Sequence, residues 1–119
     1  MPTELKFSRL AALVGAIALV AAIVIAAPVP IPGGWDKAAH FAAFSLLTAL
    51  LWHATAGAMP LAVIAAVVLL GGLDEWRQAS IPGRVSDAQD FLADLCAAAA
   101  TGWLLFMQRK TVCAESSPQ

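Results

Sequence analysis

The stretch PLAVIAAVVLLGGLDEWRQ, residues 60–78, decides how this chain can fold. Its first part, residues 60–73, carries no charge. As an α-helix it would rise about 21 Å, at roughly 1.5 Å per residue. The hydrocarbon core of a bilayer is roughly 30 Å thick, so this part alone is too short to cross it. We therefore expect the helix to continue through residues 74–78, DEWRQ, and to hold that polar group at or slightly below the headgroups.

Composition agrees with a membrane protein. The chain has 119 residues, of which 61% are hydrophobic and 13% charged. Soluble domains carry roughly 25% charged residues. The net charge of -1 offers no basic surface for nucleic acid, so we exclude nucleic-acid binding.

Three further segments are apolar enough for membrane helices: residues 10–27, 40–55 and 91–107. A spanning helix needs about 20 residues, with a tolerated range near 17–25, so the first segment qualifies as it stands. The second is long enough only if its helix also includes residues 36–40. A cleavable signal peptide is the alternative for the first segment, but its apolar run exceeds the roughly 7–15 residues typical of such peptides.

Proline and glycine residues divide the segments into an antiparallel arrangement. Residues 28–34 break the chain after the first helix, and Gly57 with Pro60 marks a tight turn after the second. Residues 82–83, Pro-Gly, mark another turn. We therefore predict an all-α fold, an integral membrane four-helix bundle over residues 10–110. Residues 1–9 would form a cytoplasmic N-terminus and residues 111–119 a disordered cytoplasmic tail.

The start of the fourth helix has a recognisable signal. Ser86 and Gln89 stand three residues apart, the spacing of a capping box. This pattern predicts that the fourth helix begins at Asp87.

Basic residues near the helix ends predict the orientation, because they favour the cytoplasmic side. An even number of helices places both termini on one side, where four basic residues would lie: Lys6, Arg9, Arg109 and Lys110. The opposite side would hold three, each among acidic residues: Lys37, Arg77 and Arg84. We expect an N-in/C-in protein whose polar segments face outward, away from the cytoplasm.

Ionisable and amide residues crowd into the segments 36–40, 74–78 and 84–94. At 100° per residue, Asp87, Asp90 and Asp94 fall within an arc of about 60° and form one acidic stripe. Asp36 and His40, four residues apart, share a helix face. Acidic residues at membrane depth need partners or a function. The candidates for catalysis are Asp36, His40, Asp74, Glu75, Gln78, Asp90 and Asp94.

Three kinds of chemistry fit these residues. His40, Asp90 and Asp94 are candidate ligands of a divalent metal, which would in turn bind a phosphate-bearing headgroup. Alternatively, His40 oriented by Asp36 would act as a general base. Lys37 and Arg84 are candidates for binding an anion. The third possibility is structural: the basic side chains neutralise the aspartates and hold the helix ends together, with Arg84 the main counter-charge of the acidic stripe.

Four segments follow one another in this order: DKAAHFAAF at 36–44, DEWRQ at 74–78, IPGR at 81–84 and SDAQD at 86–90. Together they resemble the VanZ-like family of small bacterial membrane proteins. The resemblance covers residues 35–102. The chain departs from the family pattern at Asp94, where the family has Asn, and at Ala97, where it has Gly. The resemblance implies a multi-pass protein of the bacterial cytoplasmic membrane with a link to the cell envelope, and no defined biochemical activity.

The leading functional hypothesis is action on, or binding of, a cell-envelope component, such as a lipid-linked phosphate or a glycopeptide-related molecule. The chain would be either an enzyme or a metal-dependent binding protein. The alternative is a structural protein whose charges only join helices, and metal binding discriminates the two. A small drug exporter is disfavoured, because such exporters need a carboxylate in the first helix and residues 11–27 contain none. The sequence leaves substrate, metal and oligomeric state open.

Overall fold

A computed structural model describes residues 2–26, 35–83 and 87–117 of the chain. These residues form four α-helices and no strand: α1 Thr3–Ala26, α2 Trp35–Ala54, α3 Pro60–Ala79 and α4 Ala88–Glu115. The prediction of an all-α four-helix bundle is confirmed.

The lengths of α2 and α3 match a bilayer. Each has 20 residues and therefore rises about 30 Å. The helix α3 continues through Gln78, and α2 begins before Asp36, as the lengths of their apolar parts predict. Both helices thus carry their polar segments within the helix rather than on a loop.

Two helices differ from the predicted bounds. The helix α1 begins at Thr3, because no residue between Thr3 and the apolar run disfavours a helix. The helix α4 begins at Ala88, one residue later than predicted, because Asp87 is the N-cap and its side chain accepts a hydrogen bond from the amide of Gln89. Ser86 lies outside the described residues. The helix then runs to Glu115, into the segment predicted as a disordered tail, since residues 103–115 include no Gly or Pro.

The turn between α2 and α3 is held by arginines from the two other helices. Ala56 and Gly57 adopt left-handed backbone angles, with φ of 53° and 66°. The guanidinium of Arg109 donates to the carbonyl of Gly57, and the Nε of Arg9 donates to the carbonyl of Ala54 at 2.9 Å. The first part of α1 and the last part of α4 therefore lie beside this turn. This is the end of the bundle opposite the polar segments.

The core is small and the apolar surface is large. Phe44, Leu47 and Val67 are almost completely buried between the helices. Large apolar side chains point outward from the helices, including Leu61 at 81% exposure and Ile25 at 76%. Helices that are apolar on their outer faces as well as their inner ones are typical of a membrane environment. Within the described ranges, α1 and α4 are each long and apolar enough to cross a membrane.

Candidate functional site

Polar side chains from three helices meet at one end of the bundle. The start of α2, the end of α3 and the start of α4 lie side by side there, as an up-and-down topology requires. We call the inward-facing group the inner cluster, consisting of His40, Asp74, Glu75, Gln78, Asp90 and Asp94. All except His40, which is half-buried, are at most 8% exposed.

His40 and Asp94 form the deepest contact of the inner cluster. The Nδ1 atom of His40 lies 3.0 Å from Oδ1 of Asp94, a carboxylate with no solvent exposure. The ring of His40 also stacks on Phe44. The pairing of His40 with Asp36 expected from their i, i+4 spacing is not formed. Asp94 reaches the imidazole from the neighbouring helix α4, and this carboxylate orients the ring.

Gly71 makes room for Asp94, a role that the sequence analysis does not assign. A Cβ atom at Gly71 would lie 3.0 Å from Oδ2 and 3.1 Å from Cβ of Asp94. The approach of α3 to α4 is therefore close at this level. The sequence feature that could have indicated this role is that Gly71 precedes Asp74 and Glu75 by one turn of the same helix.

Glu75, rather than Asp94, completes the group whose ligand atoms lie close enough together to hold a metal ion. His40, Glu75 and Asp90 each offer a ligand atom, and these atoms all lie within 4.8 Å of one another. Two of the three predicted metal ligands, His40 and Asp90, belong to this group. Asp74 and Glu75 point about 100° apart on α3. Both are buried because the end of α3 packs against α2 as well as α4.

Asp74 and Gln78 connect the inner cluster to the first helix. The side-chain amide of Gln78 donates to Oδ2 of Asp74 at 2.7 Å. The guanidinium of Arg77 lies 3.8 Å from the other carboxylate oxygen of Asp74. Arg77 also donates to the carbonyl of Val24 in α1 at 2.8 Å. This chain of contacts attaches α1 to the polar end of the bundle.

Lys37 forms an outer rim with three carboxylates. Its Nζ atom lies 3.2 Å from Asp87, 3.5 Å from Asp90 and 4.0 Å from Asp36. The backbone amide of Gln89, and after it Lys37, holds the pKa of Asp87 below its ordinary value. Of the residues predicted to bind an anion, Lys37 is thus surrounded by carboxylates, and Arg84 lies outside the described residues.

Four buried carboxylates crowd together in the inner cluster. Asp74, Glu75, Asp90 and Asp94 are all buried. Arg77 lies 3.8 Å from Asp74, Lys37 lies 3.5 Å from Asp90, and His40 lies 3.0 Å from Asp94. Considering the described residues alone, one buried oxygen each of Asp74, Asp90 and Asp94 lacks a hydrogen-bond partner. Buried carboxylates this close together favour protonation or the binding of a cation. Carboxylates combined with an imidazole suit a divalent metal ion.

A family model described as VanZ/LLP1 matches residues 4–111 of the chain. Searches of curated proteins and of solved structures found no match. The matched range includes all four helices almost completely and every residue of the inner cluster. The chain belongs to the VanZ/LLP1 family, and is a membrane protein.

Proposed function

We propose that this VanZ/LLP1 protein holds a divalent cation in its inner cluster and, through that ion, binds the phosphate of a lipid-linked cell-envelope component. The observation that supports the proposal best is the group formed by His40, Glu75 and Asp90, whose ligand atoms lie within 4.8 Å of one another. Binding of this kind is the first step for an enzyme and the whole activity of a binding protein.

The number of protein ligands favours substrate binding over a purely structural ion. Structural metal sites are usually closed by protein ligands, whereas sites with three protein ligands keep a coordination position open. Mg²⁺ and Mn²⁺ sites commonly fill such positions with water or substrate phosphate. A cation held by His40, Glu75 and Asp90 would therefore have positions left for a headgroup phosphate.

Asp94 would act as the outer partner of the metal-binding imidazole. Metal-bound histidines usually present their second ring nitrogen to a carboxylate or carbonyl, which fixes the ring orientation. The 3.0 Å contact between Nδ1 of His40 and Asp94 provides this arrangement. In the absence of a metal, the same pair would support a general base, which is the competing chemical role for His40.

The proposed protein crosses the bacterial cytoplasmic membrane four times, with both termini in the cytoplasm. Lys6, Arg9, Arg109 and Lys110 near the termini support this orientation. An alkaline-phosphatase fusion after residue 119 should be inactive, while a fluorescent-protein fusion at the same point should fluoresce. Strong phosphatase activity would reverse the topology and place the inner cluster on the cytoplasmic side.

The cation is tested by titrating the purified protein with Mn²⁺ and measuring free Mn²⁺ by electron paramagnetic resonance. We expect one bound ion in the parent and strongly reduced binding in Asp90→Asn. Glu115→Gln is the charge-matched control, since Glu115 is exposed at the other end of α4. Equal binding by all three proteins, or no binding by the parent, would contradict the proposal.

The phosphate is tested with the same protein in lipid nanodiscs. With Mn²⁺ present, we expect preferential retention of phosphatidic acid over phosphatidylcholine, and loss of that preference in Asp90→Asn. Mn²⁺ binding without any lipid preference would support the cation site and contradict the binding of a lipid phosphate through it.

A structural role for the charges is the second candidate, and the Lys37 rim favours it at the surface. One ammonium group lies within 4.0 Å of three carboxylates from α2, the α4 cap and α4 itself. Such contacts join helix ends without any ion. If the charges serve only this purpose, the Mn²⁺ titration shows no specific binding.

A further inference from the structure

A lateral groove opens on the side of the bundle between α1 and α3. Its outer part has a volume of about 220 Å³ and its inner part about 190 Å³. Val20, Leu47 and Leu70 line both parts, so the two form one continuous groove. The side chains that shape it are almost all aliphatic or aromatic: Ile17, Val20 and Ile23 from α1, Phe44 and Leu47 from α2, and Leu70 from α3.

The groove exists because α1 is attached to the bundle mainly through α2. The helix α3 packs against α4 and, less extensively, α2. At the outer end, Arg77 of α3 donates to the carbonyl of Val24, which bridges the two helices without filling the space between them. Phe44 and Leu47 of α2 form the floor, at 2% and 1% exposure.

The dimensions of the groove fit one hydrocarbon chain. On α1 the lining runs from Leu13 to Val24, which corresponds to roughly 16 Å of helix. One leaflet contributes about half of a hydrocarbon core that is roughly 30 Å thick. The groove is therefore long enough for the part of a lipid tail that lies in one leaflet.

The polar end of the groove fits an anionic headgroup. Asp74 and Arg77 are its charged lining residues and lie 3.8 Å apart. The Asp74 side chain is buried at 7% exposure, whereas the Arg77 side chain is 38% exposed, so the guanidinium is the charged group that a headgroup can reach. A guanidinium carries five N–H donors. Among the described residues, one hydrogen bond uses these donors, that to Val24. Asp74 belongs both to this end and to the inner cluster, so a headgroup beside Arg77 lies next to the proposed cation.

We propose that the lateral groove binds one acyl or isoprenoid chain of an anionic membrane lipid, with the lipid phosphate beside Arg77. The proposal rests on the proposed function only in taking this phosphate to be the group that the cation also contacts. The groove would then hold the tail of the lipid, and its polar end would hold the phosphate.

Photolabelling of the protein in phosphatidylcholine vesicles tests this assignment. The probe is phosphatidic acid with a diazirine on one acyl chain, and phosphatidylcholine with the same chain is the comparison. All labelling is done in EDTA, so that the outcome is independent of the cation. Peptide mass spectrometry then locates the adducts.

We expect adducts to concentrate on groove residues such as Val20 and Leu70 rather than on the outward-facing Leu61 and Leu69. Phosphatidic acid should label the groove more strongly than phosphatidylcholine, by up to about fivefold, the upper range for an ion pair exposed to water. Arg77→Gln should remove this preference while leaving the position of the adducts unchanged.

Leu70→Trp and Leu69→Trp form a matched pair of variants. Leu70 lines the groove, whereas Leu69 beside it is 64% exposed on the outer surface. Leu70→Trp should abolish groove labelling and Leu69→Trp should leave it intact, with thermal unfolding in detergent reporting that both proteins fold. If Leu70→Trp does not fold, Ile17→Trp replaces it, because Ile17 lines the inner part of the groove.

Uniform labelling of all outward-facing apolar residues would overturn the groove as a lipid site. Equal labelling by the two probes would overturn the proposed preference of the groove for an anionic headgroup. A groove protected from label by a second copy of the chain, seen as a dimer in native mass spectrometry, would also overturn the proposal. Groove labelling in a protein that binds no Mn²⁺ would support the groove and contradict the cation site alone.

Discussion

The two ends of the bundle differ in the charged groups that they place between the helices. At the end with the α2–α3 turn, Arg9 and Arg109 donate to the backbone carbonyls of Ala54 and Gly57. At the other end, carboxylates from α3 and α4 are buried together around His40. At the first end, arginine side chains bind neutral backbone carbonyls. The second has four carboxylates buried close together.

This difference separates structural from chemical roles. Backbone carbonyls at a helix C-terminus lack intrahelical partners, so an arginine that binds them completes the fold and requires nothing further. Buried carboxylates placed next to each other oppose folding unless a proton or a cation intervenes. The inner cluster is therefore the part of the molecule whose arrangement folding alone does not explain.

Asp94→Asn should have the largest effect on the inner cluster. Loss of an outer carboxylate partner of a metal-bound histidine typically lowers metal affinity by about 10- to 100-fold. We expect such a loss in Mn²⁺ titrations. An amide can still contact the imidazole of His40, so the variant should fold. Unchanged Mn²⁺ affinity would show that the contact between His40 and Asp94 is structural, like the contacts at the opposite end.

Gly71→Ala should lower both stability and Mn²⁺ affinity. The new Cβ would lie 3.0 Å from a carboxylate oxygen of Asp94, and overpacking of this kind costs about 1–3 kcal/mol. Gly72→Ala is the matched control, because its Cβ would meet only the ring of Phe91 at 3.6 Å. Thermal unfolding in detergent and Mn²⁺ titration check both variants. Equal behaviour of the two alanine variants would contradict the close packing of α3 on Asp94.

Arg109→Ala should reduce stability by about 1 kcal/mol, the usual net value of a hydrogen bond in a protein. Its guanidinium donates to the carbonyl of Gly57, which would lose this partner. Gln108→Ala, at an exposed neighbouring position, should unfold like the parent. Mn²⁺ affinity should be unaffected in both variants. A loss of Mn²⁺ binding in Arg109→Ala would contradict the claim that the arginines at this end have only a structural role.

Asp87 should show a small, pH-dependent effect on stability. Its folded pKa is lowered, first by the Gln89 amide and then by Lys37. A carboxyl with a depressed folded pKa stabilises the fold above its unfolded pKa, ordinarily near 3.8, and loses that contribution as pH falls through the folded value. Asp87→Ala should therefore unfold at a lower temperature than the parent at pH 7, and the difference should shrink at pH 3. A difference that is larger at pH 3 would reverse the sign and contradict the rim contacts.

Much of the fold follows from helix length alone. The uncharged parts of α2 and α3 are too short for a bilayer, and this predicts helices that include Asp36 and Gln78. The glycine and proline positions predict the antiparallel order. Helices of this length in antiparallel order place most of the candidate polar residues at one end of the bundle.

What remained unpredicted depends on contacts between helices. The partner of His40 is Asp94 of α4 rather than Asp36 of its own helix, because helical spacing gives a shared face but not the distance to a neighbouring helix. For the same reason Glu75, assigned no metal role from sequence, joins His40 and Asp90. The lateral groove depends on how α1 docks on α2, which periodicity does not specify. The role of Arg84 as counter-charge of the stripe stays a prediction.

Pulsed electron paramagnetic resonance of protein-bound Mn²⁺ tests the central claim most directly, because it detects a nitrogen ligand of the metal ion. We predict a histidine nitrogen coupling in the parent and in His53→Asn, since His53 lies at the opposite end of α2. The coupling should disappear in His40→Asn. Bound Mn²⁺ without nitrogen coupling in the parent, or a coupling that persists in His40→Asn, would contradict a cation site in the inner cluster.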